Sequence, residues 1–350
     1  MTTQVIEDAT SSVIQDIDYG RTIERALVHR SAITEVFVTD VQTLRPMAVT
    51  AGIHLPLTHL YYSDHRSRPK LHDSLIFLEA GRQVSIAGSH VHVGIPIDTI
   101  AIVNTFQFRM KNLYALEVGR ETGTPRIDTD FFGTPARNGR FRKGRLVQRI
   151  HMGDVHVGDH SMDVLFLKKH ENEILRQAQR GTPAPLSSQF TEDVVSRTAG
   201  RVAPELVGRD NPLNVVLTEP QVTGDSVVAQ VVPRFDNPAL FDHAYDHLPA
   251  MTLVEAARQV AVYSAGTAGR APGEAPLPVY ASGFEAEFHR FAELDAPLTV
   301  SADRVPAGPA RHVIRVRFLQ DAQEIAALTV TVDDASRIPH PALQPRNHHA

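Results

Sequence analysis

The apolar positions of this chain form two long helical stretches, each set among shorter runs with strand character. Asp73 is suited to cap a helix that continues to about Gly88. Within it Leu75, Ile76, Leu78 and Ile86, with Gln83 among them, leave most of the circumference apolar. A second stretch runs from about Ala250 to Ala265, with Gly266 as its expected stop. A helix that is apolar nearly all round is a buried helix. β-Branched and aromatic runs predict strands at Glu35–Val41, Ser89–Val93, Ala101–Met110, Leu113–Val118, Val147–His156 and Met162–Leu167. After the midpoint the expected strands are Asn214–Thr218, Ser226–Val232, Val279–Phe288, Leu298–Ser301, His312–Leu319 and Ile325–Val332.

The two halves repeat one another. Leu78-Glu79-Ala80-Gly81-Arg82-Gln83-Val84 returns as Val254-Glu255-Ala256-Ala257-Arg258-Gln259-Val260, an offset of 255 − 79 = 176. Val36–Asp40 resembles Val215–Glu219 at 215 − 36 = 179, and Phe106-Gln107-Phe108 resembles Phe284-Glu285-Ala286 at 284 − 106 = 178. Three segments in one order at nearly constant offset mark a tandem duplication. A strand, a long buried helix and several further antiparallel strands describe a sheet wrapped around one helix, which covers its helix fully only when two copies pair. The expected class is α+β, a tandem double hotdog. Its parts are an N-terminal repeat over 1–180, a linker over 181–201 that opens with Gly181, Pro183 and Pro185, and a C-terminal repeat over 202–338. A Pro-rich tail over 339–350 reads as disordered.

Bulk composition narrows the function. A net charge of −5 over 350 residues argues against a nucleic-acid binder, which concentrates Lys and Arg. No apolar run reaches the length of a membrane span, and the start of the chain lacks the pattern of a signal peptide. The absence of cysteine removes disulfides, thiolate metal sites and a Cys nucleophile, and fits a cytoplasmic protein.

Glu79 and Arg82 lie three apart on one helix face, as do Glu255 and Arg258, on helices that are otherwise apolar. Unpaired charges in such a place cost several kcal/mol, so these are paired structurally or exposed to a pocket and used. Loops ahead of both helices carry further chemistry: His72-Asp73 before the first, and Asp242-His243 and Asp246-His247 before the second. An imidazole and a carboxylate at one pocket mouth suit proton transfer beside a thioester carbonyl, and a helix N-terminus can polarise the carbonyl oxygen. The basic run Arg137–Arg145 is a solvated loop or a docking site for an acidic carrier protein. His90 and His92 alternate as on a strand, and His151, His156 and His160 lie loosely spaced. None has a third ligand at a diagnostic interval, so no metal is expected. No phosphate-binding Gly-rich loop or nucleophile elbow occurs.

These residues resemble the A-factor biosynthesis (AfsA) family, the gamma-butyrolactone autoregulator synthases. The matching stretches are Val28-His29-Arg30 with Ile33–Phe37, His72–Leu75 with Glu79 and Arg82-Gln83, and Asn237-Pro238 through Phe241-Asp242-His243 and Asp246–Pro249 to Glu255–Gln259. Ser74 and Ala250 stand where the family usually has Pro and Gly. The resemblance implies an acyltransferase that condenses a β-ketoacyl group, borne on the phosphopantetheine of acyl carrier protein, with dihydroxyacetone phosphate. It implies no cofactor held by the protein itself, and a monomer or homodimer. By likeness to hotdog dehydratases, Glu255 is the first expectation for a base, Arg258 for the phosphate or oxyanion, and Glu79 with Arg82 is the matching pair. His247, Asp246, His243, Gln259, His72, Asp73 and Gln83 are the expected supports. A 3-hydroxyacyl-thioester dehydratase and a non-enzymatic acyl-ligand-binding module are the alternatives.

Overall fold

A computed structural model describes residues 16–119, 123–190, 200–271, 273–305, 307–308 and 310–338. The expected tail at 339–350 and most of the second half of the expected linker, 191–199, lie outside the described residues. Among those described, the first half contains β1 (Val38–Arg45), β2 (Ala48–Ile53), α1 (Ser74–Gly88), β3 (Ile100–Met110), β4 (Pro125–Phe132), β5 (Lys143–Met152), β6 (Val155–Leu167) and α2 (Lys169–Arg180). The second contains β7 (Gln221–Thr223), β8 (Ser226–Gln230), α3 (Ala250–Gly266), β9 (Val279–Phe288), β10 (Thr299–Val305), β11 (Arg311–Gln320) and β12 (Gln323–Asp334).

All the strands form one antiparallel sheet, ordered β1-β2-β4-β5-β6-β3-β9-β12-β11-β10-β8-β7. The order is palindromic by repeat: each half contributes a sheet that curls around its own helix, and β3 pairs with β9 to join them. At that seam Gln107 faces Glu285, its own repeat equivalent at 285 − 107 = 178, so a local twofold axis passes through the pair. Beside it the Phe108 and Phe284 rings meet with centroids 6.3 Å apart. The architecture is the tandem hotdog.

Both central helices are buried as their composition requires: α1 and α3 present buried residues on almost every side. The Asp73 side chain accepts from the Leu75 N–H at 3.0 Å and caps α1. Gly81 of α1 sits against β5 and β6; a Cβ there would lie 2.6 Å from Gln148 Oε1, whereas its equivalent in α3 is Ala257. Tight hairpins hold neighbouring strands in register, as at Asp321-Ala322 between β11 and β12, where both residues have positive φ.

Four local expectations need correction. Ser89–Val93 is not a strand but a π-helical turn that continues α1 and stops at Gly94, φ +81°. The alternation of His90 and His92 is therefore helical, and Val91 between them is exposed. Leu113–Leu116 is a 3-10 turn rather than part of a strand. Residues 214–218 form only isolated bridges, at Leu217 and Thr218. The reason lies in the repeated Gln: Gln259 accepts from the Val216 N–H and donates to the Asn214 carbonyl, satisfying backbone that a strand partner would otherwise bind. Gln83 does the same for Phe37 N–H and the Glu35 carbonyl, so β1 starts only at Val38. Finally, Gly266 is the last helical residue of α3 instead of its stop; Thr267 caps the end by bonding the Tyr263 carbonyl. Strands β2, β4 and β7 and helix α2 were not among the sequence expectations. No helix of the described residues is long and apolar enough to cross a membrane.

Candidate active site

The Glu79 carboxylate on α1 is fully buried and saturated with donors. Arg30 donates through Nε and Nη2 at 3.2 and 2.6 Å, Arg82 through Nε and Nη2 at 2.8 Å each, and Gln83 through Nε2 at 2.7 Å. Burial alone would raise its pKa, but the two guanidinium groups outweigh it and hold the carboxyl down at about 2. On α3, Glu255 is bound in the same way by Arg209, Arg258 and Gln259, with the Tyr61 hydroxyl donating at 2.9 Å in addition. Arg209 and Arg258 hold it down at about 2 against the effect of burial. Both carboxylates are ionised and already accept several hydrogen bonds, which makes them anchors for arginines.

The two clusters differ in access. The Arg82 side chain is 29% exposed, whereas that of Arg258 is 6% exposed. Arg82 uses only Nε and Nη2 on Glu79 and makes no hydrogen bond through Nη1 among the described residues. It lines a cavity of about 430 Å³ whose walls include Ile86, Ile102, Leu146, Val164 and Phe288. Apolar walls with a few convergent polar groups are the usual make-up of a small-molecule site.

The loop that meets Arg82 in this cavity is the one before α3. Tyr245, His247 and Pro249 line it, together with His29 and His90 from the first half. His247 Nδ1 lies 2.6 Å from Asp246 Oδ1. A carboxylate only accepts, so Nδ1 is the donor in this contact, and in the neutral ring Nε2 is then the acceptor. Asp246 is held well below the usual carboxylate range: burial raises it, but His247 and Arg176 more than offset that. A second cavity, about 600 Å³, mirrors the first: Arg258 of α3 lines it with His65 and Asp73 from the segment before α1 and Ser74 at the start of α1. Helix arginine and entry loop are therefore paired crosswise between the halves.

The chain matches the A-factor biosynthesis hotdog domain over residues 15–168 and again over 191–334. It belongs to the AfsA family. It is 26% identical over 313 residues to a 2-oxo-3-(phosphooxy)propyl 3-oxoalkanoate synthase of Streptomyces virginiae, covering 86% of this chain and 94% of that one. The synthase of the same name from Streptomyces griseus is 27% identical over 301 residues, covering 85% and 91%. Among solved structures, the dehydratase domain of RzxB from Pseudomonas fluorescens superposes with a TM-score of 0.47 at 12% identity, over 85% of this chain and 98% of that one.

In this AfsA-family chain the residues singled out from sequence separate into groups. Arg82 and His247 share the first cavity, with Asp246 behind His247 and Glu79 behind Arg82. Arg258 and Asp73 share the second, with Glu255 behind Arg258. Gln83 and Gln259 serve the backbone as well as the glutamates. His243 lies outside the first cavity, 40% exposed, with Nδ1 2.8 Å from Asp242 Oδ1. His72 is buried beside Phe77 and lines neither cavity; burial and Lys70 lower its pKa to about 4, so it is neutral. His160 is fully buried against Gln148, and desolvation lowers it to about 3. The basic run spans the β4–β5 loop and the start of β5; Phe141 in the loop and Arg145 in the strand reach the first cavity, and Arg140 bonds Glu171.

Sequence reasoning gave no role to Arg30, Arg209, Tyr61 or Tyr245. Two of them carried a signal. Val28-His29-Arg30 and Val207-Gly208-Arg209 are repeats at 209 − 30 = 179, the same offset as Val36–Asp40 and Val215–Glu219. The comparison also exposes an asymmetry: His29, whose Nε2 lies 3.0 Å from His90 Nε2 in the first cavity, is replaced by Gly208 in the second half.

Proposed function

We propose that this protein is an acyltransferase that moves a β-ketoacyl group from the thioester of an acyl carrier protein to a hydroxyl of dihydroxyacetone phosphate. The ester formed is the one that the relatives' name describes, a 2-oxo-3-(phosphooxy)propyl 3-oxoalkanoate. The carrying observation is the first cavity, whose mostly apolar lining includes Arg82 and His247, one group from each half.

The acyl chain lies along Ile86, Ile102 and Val164, and the thioester carbonyl reaches the polar end. His247 Nε2 accepts the proton of the attacking hydroxyl while Asp246 stabilises the resulting imidazolium. The hydroxyl oxygen bonds to the carbonyl carbon, and the developing oxyanion or the substrate phosphate is met by Arg82, which Glu79 holds in place. The C–S bond then breaks, and His247 returns the proton to the leaving thiolate. In this reading Glu79 and Glu255 hold arginines, and Glu255 with Arg258 supports the second cavity. Phosphopantetheine enters past the β4–β5 loop, whose arginines suit an acidic carrier protein.

The test is to incubate the protein with a β-ketoacyl carrier protein and dihydroxyacetone phosphate and to follow both by mass spectrometry. A phosphorylated ester with loss of the thioester is expected. An intact thioester and no ester would refute the reading, and water loss from a 3-hydroxyacyl thioester would point to a dehydratase.

A further inference from the structure

Helix α2 occupies residues 169–180, in the interval between the two stretches that match the family domain. It is strongly polar, yet Arg176 on it is buried. That arginine spends its donors on the second half. Nε donates to Asp246 Oδ2 at 2.9 Å and Nη2 to the Asp246 carbonyl at 2.9 Å. Nη1 and Nη2 also grip Glu293 Oε1 and Oε2 at 2.8 Å each. The guanidinium carbon stands 4.7 Å from the centroid of the Phe291 ring, and Phe291 packs edge-on against His247 with centroids 4.8 Å apart.

We infer that Arg176 is a positioning residue for His247. The imidazole has two restraints, the Asp246 carboxylate on Nδ1 and the Phe291 ring at its side, and Arg176 contacts both. The dyad needs such support, because its side chains are 35% and 29% exposed and lie on a loop. A residue that orients a base through its carboxylate partner fixes both tautomer and aim. The inference rests on His247 being the proton acceptor of the proposed reaction, but its structural part stands without it.

Replacing Arg176 should leave α2 docked. Gln179 still bonds Glu293 and the Phe291 carbonyl, Arg180 still bonds Glu293 and Asp295, and Arg140 still bonds Glu171. Arg176→Gln in the full-length protein is expected to lower kcat by about tenfold to a hundredfold, the scale of a misaimed catalytic group. KM for the acyl donor should change by less than about threefold, because Arg176 does not itself line the cavity and the apolar walls at Ile86, Ile102 and Val164 lie on other elements. Arg176→Lys should restore part of the loss. Nitrogen NMR of the histidine rings should show His247 held as the Nδ1–H tautomer in the wild type and as a mixture in Arg176→Gln. Glu293→Gln, which loosens Arg176 without touching Asp246, should give a smaller loss of the same kind. Wild-type kcat with an unchanged tautomer in Arg176→Gln would overturn the inference. A changed tautomer in a protein that never makes the ester would uphold the positioning and sink the proposed reaction instead.

Discussion

Arg30 Nη1 donates to Asp242 Oδ1 at 3.0 Å across 212 positions of sequence, while its Nη2 donates to Glu79 at 2.6 Å. One buried guanidinium thus ties the carboxylate of α1 to the loop that carries His247 ahead of α3. Asp242 accepts three further bonds, from the Ser31 N–H, His243 and the Tyr245 hydroxyl. Asp242→Ala leaves Arg30 paired to Glu79 but takes the acceptor from its Nη1 and from these other donors, and is expected to cost about 2–3 kcal/mol of folding stability. Urea unfolding measures this; a loss under about 1 kcal/mol would contradict the bridging role.

The difference in access between the two clusters predicts opposite phenotypes. Arg82→Gln should lower kcat by about a hundredfold, the scale for losing an oxyanion donor, and should destabilise less than Arg258→Gln, because Arg82 is the more exposed of the two and Arg30 still pairs Glu79. Arg258→Gln removes a more deeply buried partner of Glu255 and should destabilise by about 3 kcal/mol. Steady-state kinetics and thermal melts on both variants decide the matter. A strongly destabilised Arg82 variant that retains full specific activity would reverse the assignment.

Acid should unfold the protein in two stages. His160 at about 3 and His65 and His72 at about 4 are neutral in the folded state, against 6.5 when solvated. The unfolded chain therefore binds protons that the folded one refuses, and stability declines as pH falls from 6.5 towards 4. Glu79 and Glu255, depressed from 4.5 to about 2, add stability above 4.5 that is lost as pH falls further towards 2. Chemical denaturation from pH 8 to 4 should show this fall, and His160→Gln should flatten its upper part. Stability that holds level or rises on acidification would refute the sign.

Val164 lines the apolar part of the first cavity and is itself 7% exposed. Val164→Phe should shorten the accepted acyl chain, with kcat/KM for the longest substrates falling by about tenfold or more per lost methylene of room. Competition between acyl donors of different length reads the shift. An unchanged chain-length profile would place the acyl group elsewhere.

The duplicated Glu-x-x-Arg-Gln stretch announced much of the fold. Periodicity identified α1 and α3 as buried helices, and the constant offset identified two equivalent units. The strands that eluded sequence reasoning are β2, β4 and β7. β4 carries Arg126, Asp128 and Asp130 between its buried residues, so its apolar signal is thin. Residues 89–93 misled in the other direction, because a single π-helical turn with alternating His and Val imitates a strand.

By itself, then, the sequence determined the repeat, the buried helices and the charged pairs on them, because these depend on local spacing and on which residues avoid water. It could not determine which loop faces which helix. That choice follows from β3 pairing with β9, which sets the halves about a local twofold axis and brings the loop of each towards the arginine of the other. The same long-range contacts left the Arg82 side chain 29% exposed and that of Arg258 only 6%, a difference that the shared Glu-x-x-Arg-Gln pattern could not express.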